Sequence, residues 1–237
     1  MGKSYFIWNG MDCRNMGVTL AGPVAIVRPE ERVKHVEIPG RSGDLTQVEG
    51  ENVYNSYIQT ATIQVKDGYR VRDVFKWIRG SGYVTFHGEP DRRQEARIIG
   101  AITLDKHSHN LDTWVGEVQF YCQPLKELLQ RKAVTITASG TNIINMGDVT
   151  EFPKITMRTN ATTAYITIGG NTTLITGVNS GVDYVLESKT QEMYTLVGQT
   201  NMTNKTVGYF PMIPVGEQTI TGSGWSQLII DRRERFL

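Results

Sequence analysis

The chain has 237 residues, 39% of them hydrophobic and 21% charged, which excludes a disordered tract and leaves room for two domains or one large β domain. Its formal net charge is +1, so bulk electrostatics point to neither nucleic acid nor a membrane surface as partner. No apolar run approaches the ~20 residues of a membrane-spanning helix, and two cysteines, Cys13 and Cys122, are too few for a disulfide framework and read as small buried hydrophobes in a reducing compartment.

In chain order, residues 4–9 form an aromatic strand closed by the turn dipeptide Asn9-Gly10. Residues 24–27 read as a second strand, ended by Arg28-Pro29. Residues 33–38 alternate with period two, and residues 54–65 do so over a longer run. Val71, Val74, Phe75 and Ile78 stand at i, i+3, i+4 and i+7, one apolar stripe of a helix of about ten residues, and Gly80 is placed to stop it. Strands follow at 83–86, 95–99 and 114–122, with a polar loop over 104–112. Residues 124–132 read as a helical turn or a linker, and the domain boundary falls there, giving domains 1–132 and 133–237. Strands around one amphipathic helix make the first an α+β or barrel-like domain. Beyond 133 the chain becomes rich in threonine and glycine. Short strands over 134–137, 155–159, 164–168, 173–176, 183–186, 193–197 and 227–230 predict an antiparallel β-sandwich.

One stretch resists both helix and central strand. Glu37-Ile38-Pro39-Gly40-Arg41-Ser42-Gly43-Asp44-Leu45 holds a proline, two glycines and three charges. Gly40 and Gly43 can take positive φ and turn the backbone twice, which places Arg41 and Asp44 on a corner rather than a packed face. Such a corner suits contact with a partner; a tight hairpin with merely solvated charges is the plainer alternative.

Catalytic constellations are absent from the pattern. There is no phosphate-binding glycine loop, no nucleophile elbow and no His-Glu-x-x-His pair. His107 and His109 share a face if extended, yet no third ligand stands at a metal-site spacing, so neither a metal nor any other cofactor is expected. The carboxylate pairs Glu30–Glu31 and Glu49–Glu51 read as solvated surface charge. Arg70, Arg72, Lys76 and Arg79 form a basic helix face, better suited to solvent or a protein partner than to nucleic acid, because little aromatic stacking surface accompanies them. Tyr184, Tyr194, Tyr209 and Trp225 are candidates for a sugar-stacking platform, with sandwich core as the competing role.

The order of these segments resembles a known family. An aromatic strand with Asn-Gly precedes Arg28-Pro29-Glu30-Glu31-Arg32 and Val36-Glu37-Ile38-Pro39-Gly40-Arg41-Ser42-Gly43-Asp44-Leu45. Then come Trp77-Ile78-Arg79-Gly80-Ser81-Gly82-Tyr83, Phe120-Tyr121-Cys122-Gln123-Pro124, Asn145-Met146-Gly147, Phe210-Pro211-Met212-Ile213-Pro214-Val215-Gly216-Glu217 and Arg232-Arg233. Together they look like the distal tail proteins of long, non-contractile-tailed phages of Gram-positive bacteria. The resemblance implies a structural protein rather than an enzyme, assembled in the host cytoplasm and carried at the tail tip of the virion. It implies a hexameric ring built by the N-terminal domain, with a galectin-like sandwich outside. The ring would join the tail-tube protein to the tail-associated hub protein, with a receptor-binding protein or cell-wall glycan as further partners. Within such a ring Pro39, Gly40, Arg41, Gly43 and Asp44 are the expected inter-subunit contacts, Arg41 and Asp44 being the charge partners. The runner-up role is a carbohydrate- or receptor-binding sandwich module of the host-adhesion device. The Ile229-Ile230-Asp231-Arg232-Arg233 ending departs from the family pattern, and no role is assigned to it from sequence.

Overall fold

The strand Leu111–Leu128 organises the first half of the chain in a computed structural model, which describes residues 4–48, 50, 52–108 and 111–237, the side chains of Ser108 and Leu111 excepted. On one side this strand pairs with Tyr57–Lys66; on the other it pairs with Leu104–Ser108 and then with Arg92–Ile99, every pairing antiparallel. Period-two alternation sets which face is inside. Ala61, Ile63 and Val65 of one strand and Val118, Phe120 and Cys122 of its neighbour are buried, with Val118 opposite Ala61.

The sheet runs, by hydrogen bonding, from Met11–Asp12 through Phe6–Trp8, Ser81–Phe86, Arg92–Ile99, Leu111–Leu128 and Tyr57–Lys66 to Val18–Leu20. Its two edge strands are therefore close in sequence, joined by the 3-10 turn Cys13–Met16 and Gly17. Laid flat, six inter-strand steps of about 4.8 Å would part those edges by roughly 29 Å. The six residue steps from Asp12 to Val18 reach roughly 20 Å at full extension, and less through a 3-10 turn. The sheet must curl until its edges approach, a split barrel around the core. Inside it, Phe6 stacks on Trp77 at 5.6 Å, and the ring of Phe120 meets Phe6, Trp8 and Phe86 edge-on at 5.5, 5.7 and 5.5 Å.

The helix is Val71–Trp77, preceded by the 3-10 turn Gly68–Arg70. Val74 and Ile78 are buried as the stripe requires, but Phe75 stays 39% exposed. The helix ends earlier than expected, with Ile78 as its cap and Gly80 beyond it at φ +76°. Three other expectations are corrected. Residues 24–27 form no strand: Val24 is buried, Ile26 is exposed, and no strand among the described residues pairs with them. The polar stretch 104–108 is a strand, because Leu104 packs inward while Asp105 and Lys106 follow the ladder at the surface. Residues 124–128 continue the long strand instead of turning helical; the register shifts between Cys122 and Lys126, a bulge that absorbs Pro124.

The chain divides into two units, the residues through Leu129 together with Leu237, and Gln130–Phe236. The second unit is an antiparallel sandwich. One sheet orders Ala133–Ile136, Trp225–Asp231, Lys154–Thr159, Asp183–Glu187 and Glu192–Thr195. The other orders Thr141–Asn145, Gly216–Ser223, Thr163–Ile168, Asn171–Thr176 and Thr206–Gly208. Ile155, Met157, Leu186, Leu228 and Ile230 from the first sheet meet Ile143, Ile166, Ile168, Ile175 and Ile220 from the second in one core. The described residues are mainly β with one α-helix, as the sequence predicts.

Candidate functional site

Among the described residues Val33–Val36 and Leu45–Val48 pair only with each other, outside the large sheet. Val36 stands opposite Leu45 and Val33 opposite Val48; Thr46 Oγ1 lies 3.2 Å from His35 Nδ1 across the ladder. Below them the two legs meet again where Arg32 N donates to Val53 O, Asn55 N donates to Glu30 O, and Arg32 Nε donates to Asn55 Oδ1 at 3.2 Å. The result is an arm, a two-stranded ribbon leaving the barrel and returning to it.

The sequence makes its tip turn. Arg41 N donates to Ile38 O at 3.1 Å, with Pro39 and Gly40 between them. Proline at the first central position and a glycine at φ +81° at the second are the requirements of a type II turn. Gly43, at φ +80°, turns the chain again before the second leg. Pro39, Gly40, Arg41, Gly43 and Asp44 are all exposed. Among the described residues neither Arg41 nor Asp44 has an ion-pair partner, so the structure does not pair them within one chain.

The arm is poorly supported by its own chain. Leu45 and Val48 are 45% and 49% exposed, Ile38 is 39% exposed, and none of its side chains is buried. An isolated two-stranded ribbon is marginal in water, its edges being open to further pairing, and among the described residues no third strand joins this one. Further pairing or packing would complete it.

The four candidates for a sugar platform do not share a role. Tyr184 is 1% exposed and its hydroxyl accepts a hydrogen bond from Asn179 N at 3.0 Å. Trp225 is 7% exposed and its indole N–H donates to Tyr165 O at 3.2 Å. Both are sandwich core and offer no free ring face, a correction to that expectation. Tyr194 is half-buried on an edge strand, and Tyr209 is exposed.

Among the described residues no group of three or more His, Cys, Asp and Glu side chains could hold a metal ion. His109, Glu49 and Glu51 lie outside the described residues. Both cysteines are buried and free; burial raises the Cys13 thiol pKa and pushes that of Cys122 up to about 12. Of the basic helix face, Lys76 pairs with Asp73 at 3.3 Å and Arg70 lies 3.8 Å from Asp67.

The C-terminal arginines, left without a role by sequence, have partners. Arg232 Nε donates to both oxygens of the fully buried Glu151, and Arg232 Nη2 donates to Ile144 O and Glu234 Oε1, both at 2.8 Å. Arg233 donates its backbone N–H to Glu151 and its guanidinium to Glu187. This cluster ties the last segment of the sandwich to its body. It is a structural clamp, since its carboxylate is sealed from solvent.

A solved structure matches the chain from end to end. The SPP1 Dit (gp 19.1) protein, described as a paradigm of the hub adsorption apparatus in Gram-positive-infecting phages, superposes with a TM-score of 0.80 at 16% identity, covering 100% of both chains. The chain has the Dit fold. A structure of the phage p2 baseplate in its activated conformation with Sr is also similar, with a TM-score of 0.47, 9% identity and coverage of 99% and 98%. No protein-family model matches the chain, and no curated protein does. In this chain a curled-sheet unit precedes a sandwich unit, and the likeness spans both.

Proposed function

We propose that this chain is a structural protein of a phage tail tip, a ring-forming hub rather than an enzyme. Residues 1–132 build the ring, six copies closing head to tail, and residues 133–237 form the sandwich outside it. The ring joins the tail tube to the tail-associated hub and receptor-binding apparatus. It is carried at the tail tip and assembled in the host cytoplasm.

The observation that carries this reading is the full-length likeness to SPP1 Dit, a protein described as part of a hub adsorption apparatus. The arm supports it independently. A head-to-tail contact uses two different surfaces of one subunit and closes into a ring when the rotation permits. A ribbon exposed on both edges is one such surface. Pro39, Gly40, Arg41, Gly43 and Asp44 are its contact residues.

Light scattering on the purified full-length chain tests the reading. The expected mass is six times 26.6 kDa. A single 26.6 kDa species at high concentration would falsify the ring.

A further inference from the structure

Beside the helix lies an open hollow of about 360 Å³, lined by Phe75, Ile78, Ile98 and Ile102 with Arg79 among them. It lies in the same unit as the arm and is not filled by it, since every residue of the arm tip is exposed. We propose that the arm tip of a second copy of this chain seats in this hollow, with Arg79 meeting its carboxylates. This rests on the ring reading and names the receiving surface.

Shape and charge both favour a second copy as the occupant. The arm tip presents Ile38 at 39% exposure and Leu45 at 45%, beside the rigid ring of Pro39; the hollow presents Phe75, also 39% exposed. Covering apolar surface on both sides drives association. The ladder ends with Val36 opposite Leu45, and Glu37 and Asp44 are the next residues on its two legs. Like charges gathered at one end of a ribbon repel. Among the described residues neither has an ion-pair partner, and neither has Arg79. The tip carries Glu37, Arg41 and Asp44, a surplus of one negative charge, and the hollow carries the guanidinium that balances it. One patch supplies what the other lacks, and two different patches on one subunit make a contact that propagates from copy to copy.

The test uses the full chain with Ile38→Cys and Phe75→Cys, both at exposed positions. The native cysteines are buried and do not compete. Mild oxidation is expected to give a disulfide-linked ladder of subunits on a non-reducing gel, while each single variant stops at dimers. In parallel, Arg79→Glu is expected to weaken association at least ~10-fold, and adding Glu37→Arg with Asp44→Arg is expected to restore it. A parent that forms the ring while the double-cysteine variant gives no ladder, or cross-links only within one chain, overturns the hollow as the seat and leaves the ring standing. A parent that stays monomeric at every concentration overturns the ring, and this seat with it.

Discussion

Arg232 Nε reaches both carboxylate oxygens of Glu151, at 3.1 and 2.9 Å, and that carboxylate is fully buried. Burial is the largest influence on Glu151 and raises its pKa, against the opposing pull of the Arg233 N–H and of the Arg232 charge. Removing Arg232 leaves a buried charge without its partner, which costs roughly 3–5 kcal/mol. Arg232→Met is therefore expected to lower unfolding stability at pH 7.5 by about 3 kcal/mol in urea titrations.

The same pair gives a pH dependence with a definite sign. In Arg232→Met the lowering influence of the guanidinium is gone, so the Glu151 pKa of the folded variant stands higher still. Between the ordinary carboxylate pKa and that raised value, the folded variant holds a proton that the unfolded chain releases. Its stability relative to the parent is thus expected to improve as pH falls through this window. The gap between the two proteins narrows from pH 7.5 to pH 5; a gap that widens on acidification would contradict the assignment.

Cys13 and Cys122 are expected to resist thiol reagents in the folded protein. With its pKa pushed up to about 12, Cys122 stays almost wholly protonated at pH 8, and its sulfur is out of reach as well. A chromogenic disulfide reagent should find no thiol in native protein and two per chain in denaturant. Because the folded pKa exceeds the unfolded one, the stability tied to Cys122 is present below pH 9.0 and is lost as pH rises toward 12.

Much of the fold was legible where burial is one-sided. The alternation over residues 54–65 and 114–122 announces two barrel strands, and Val74 and Ile78 mark the buried side of the helix. Legibility failed where a strand buries little. Gly216–Ser223 is a full sandwich strand, yet only Ile220 of its eight residues is buried, so its threonines carried the one weak signal. Phe75 misled for the converse reason: it sits at a core spacing but faces the open hollow. At the candidate site, Pro39-Gly40 dictated the turn because its backbone angles belong to those residue types. The clamp between Glu151 and Arg232 joins residues 81 apart, and no local pattern encodes a pairing of that separation. Tyr184 and Trp225 are core for a related reason, since an aromatic residue reads alike in sequence whether its ring is buried or presented.

Two glycines separate steric necessity from backbone necessity. A Cβ on Gly116 would lie 1.9 Å from Thr103 O, a backbone atom with little freedom to retreat. Gly116→Ala is expected to cost at least about 2 kcal/mol through overpacking. A Cβ on Gly40 would meet nothing within 4 Å, and only its φ of +81° penalises a side chain. Gly40→Ala is expected to cost about 1–2 kcal/mol, the backbone penalty alone. Denaturant midpoints of the two variants, measured side by side, should rank them in that order.

Asp44→Ala is expected to act on assembly and not on the fold. Asp44 is exposed and has no ion-pair partner among the described residues, so the stability of the separate subunit should change by less than about 0.5 kcal/mol. In the proposed ring its carboxylate meets a cation of the neighbouring copy, and truncating one member of an interfacial charge pair speeds dissociation. The variant should therefore fall to single subunits at a concentration several-fold higher than the parent does, as followed by light scattering through a dilution series. Raising salt should shrink the difference if the pair is solvent-accessible, because screening acts on the parent's extra attraction and not on the variant. A variant that matches the parent at every dilution would remove Asp44 from the interface, whatever the fate of the ring.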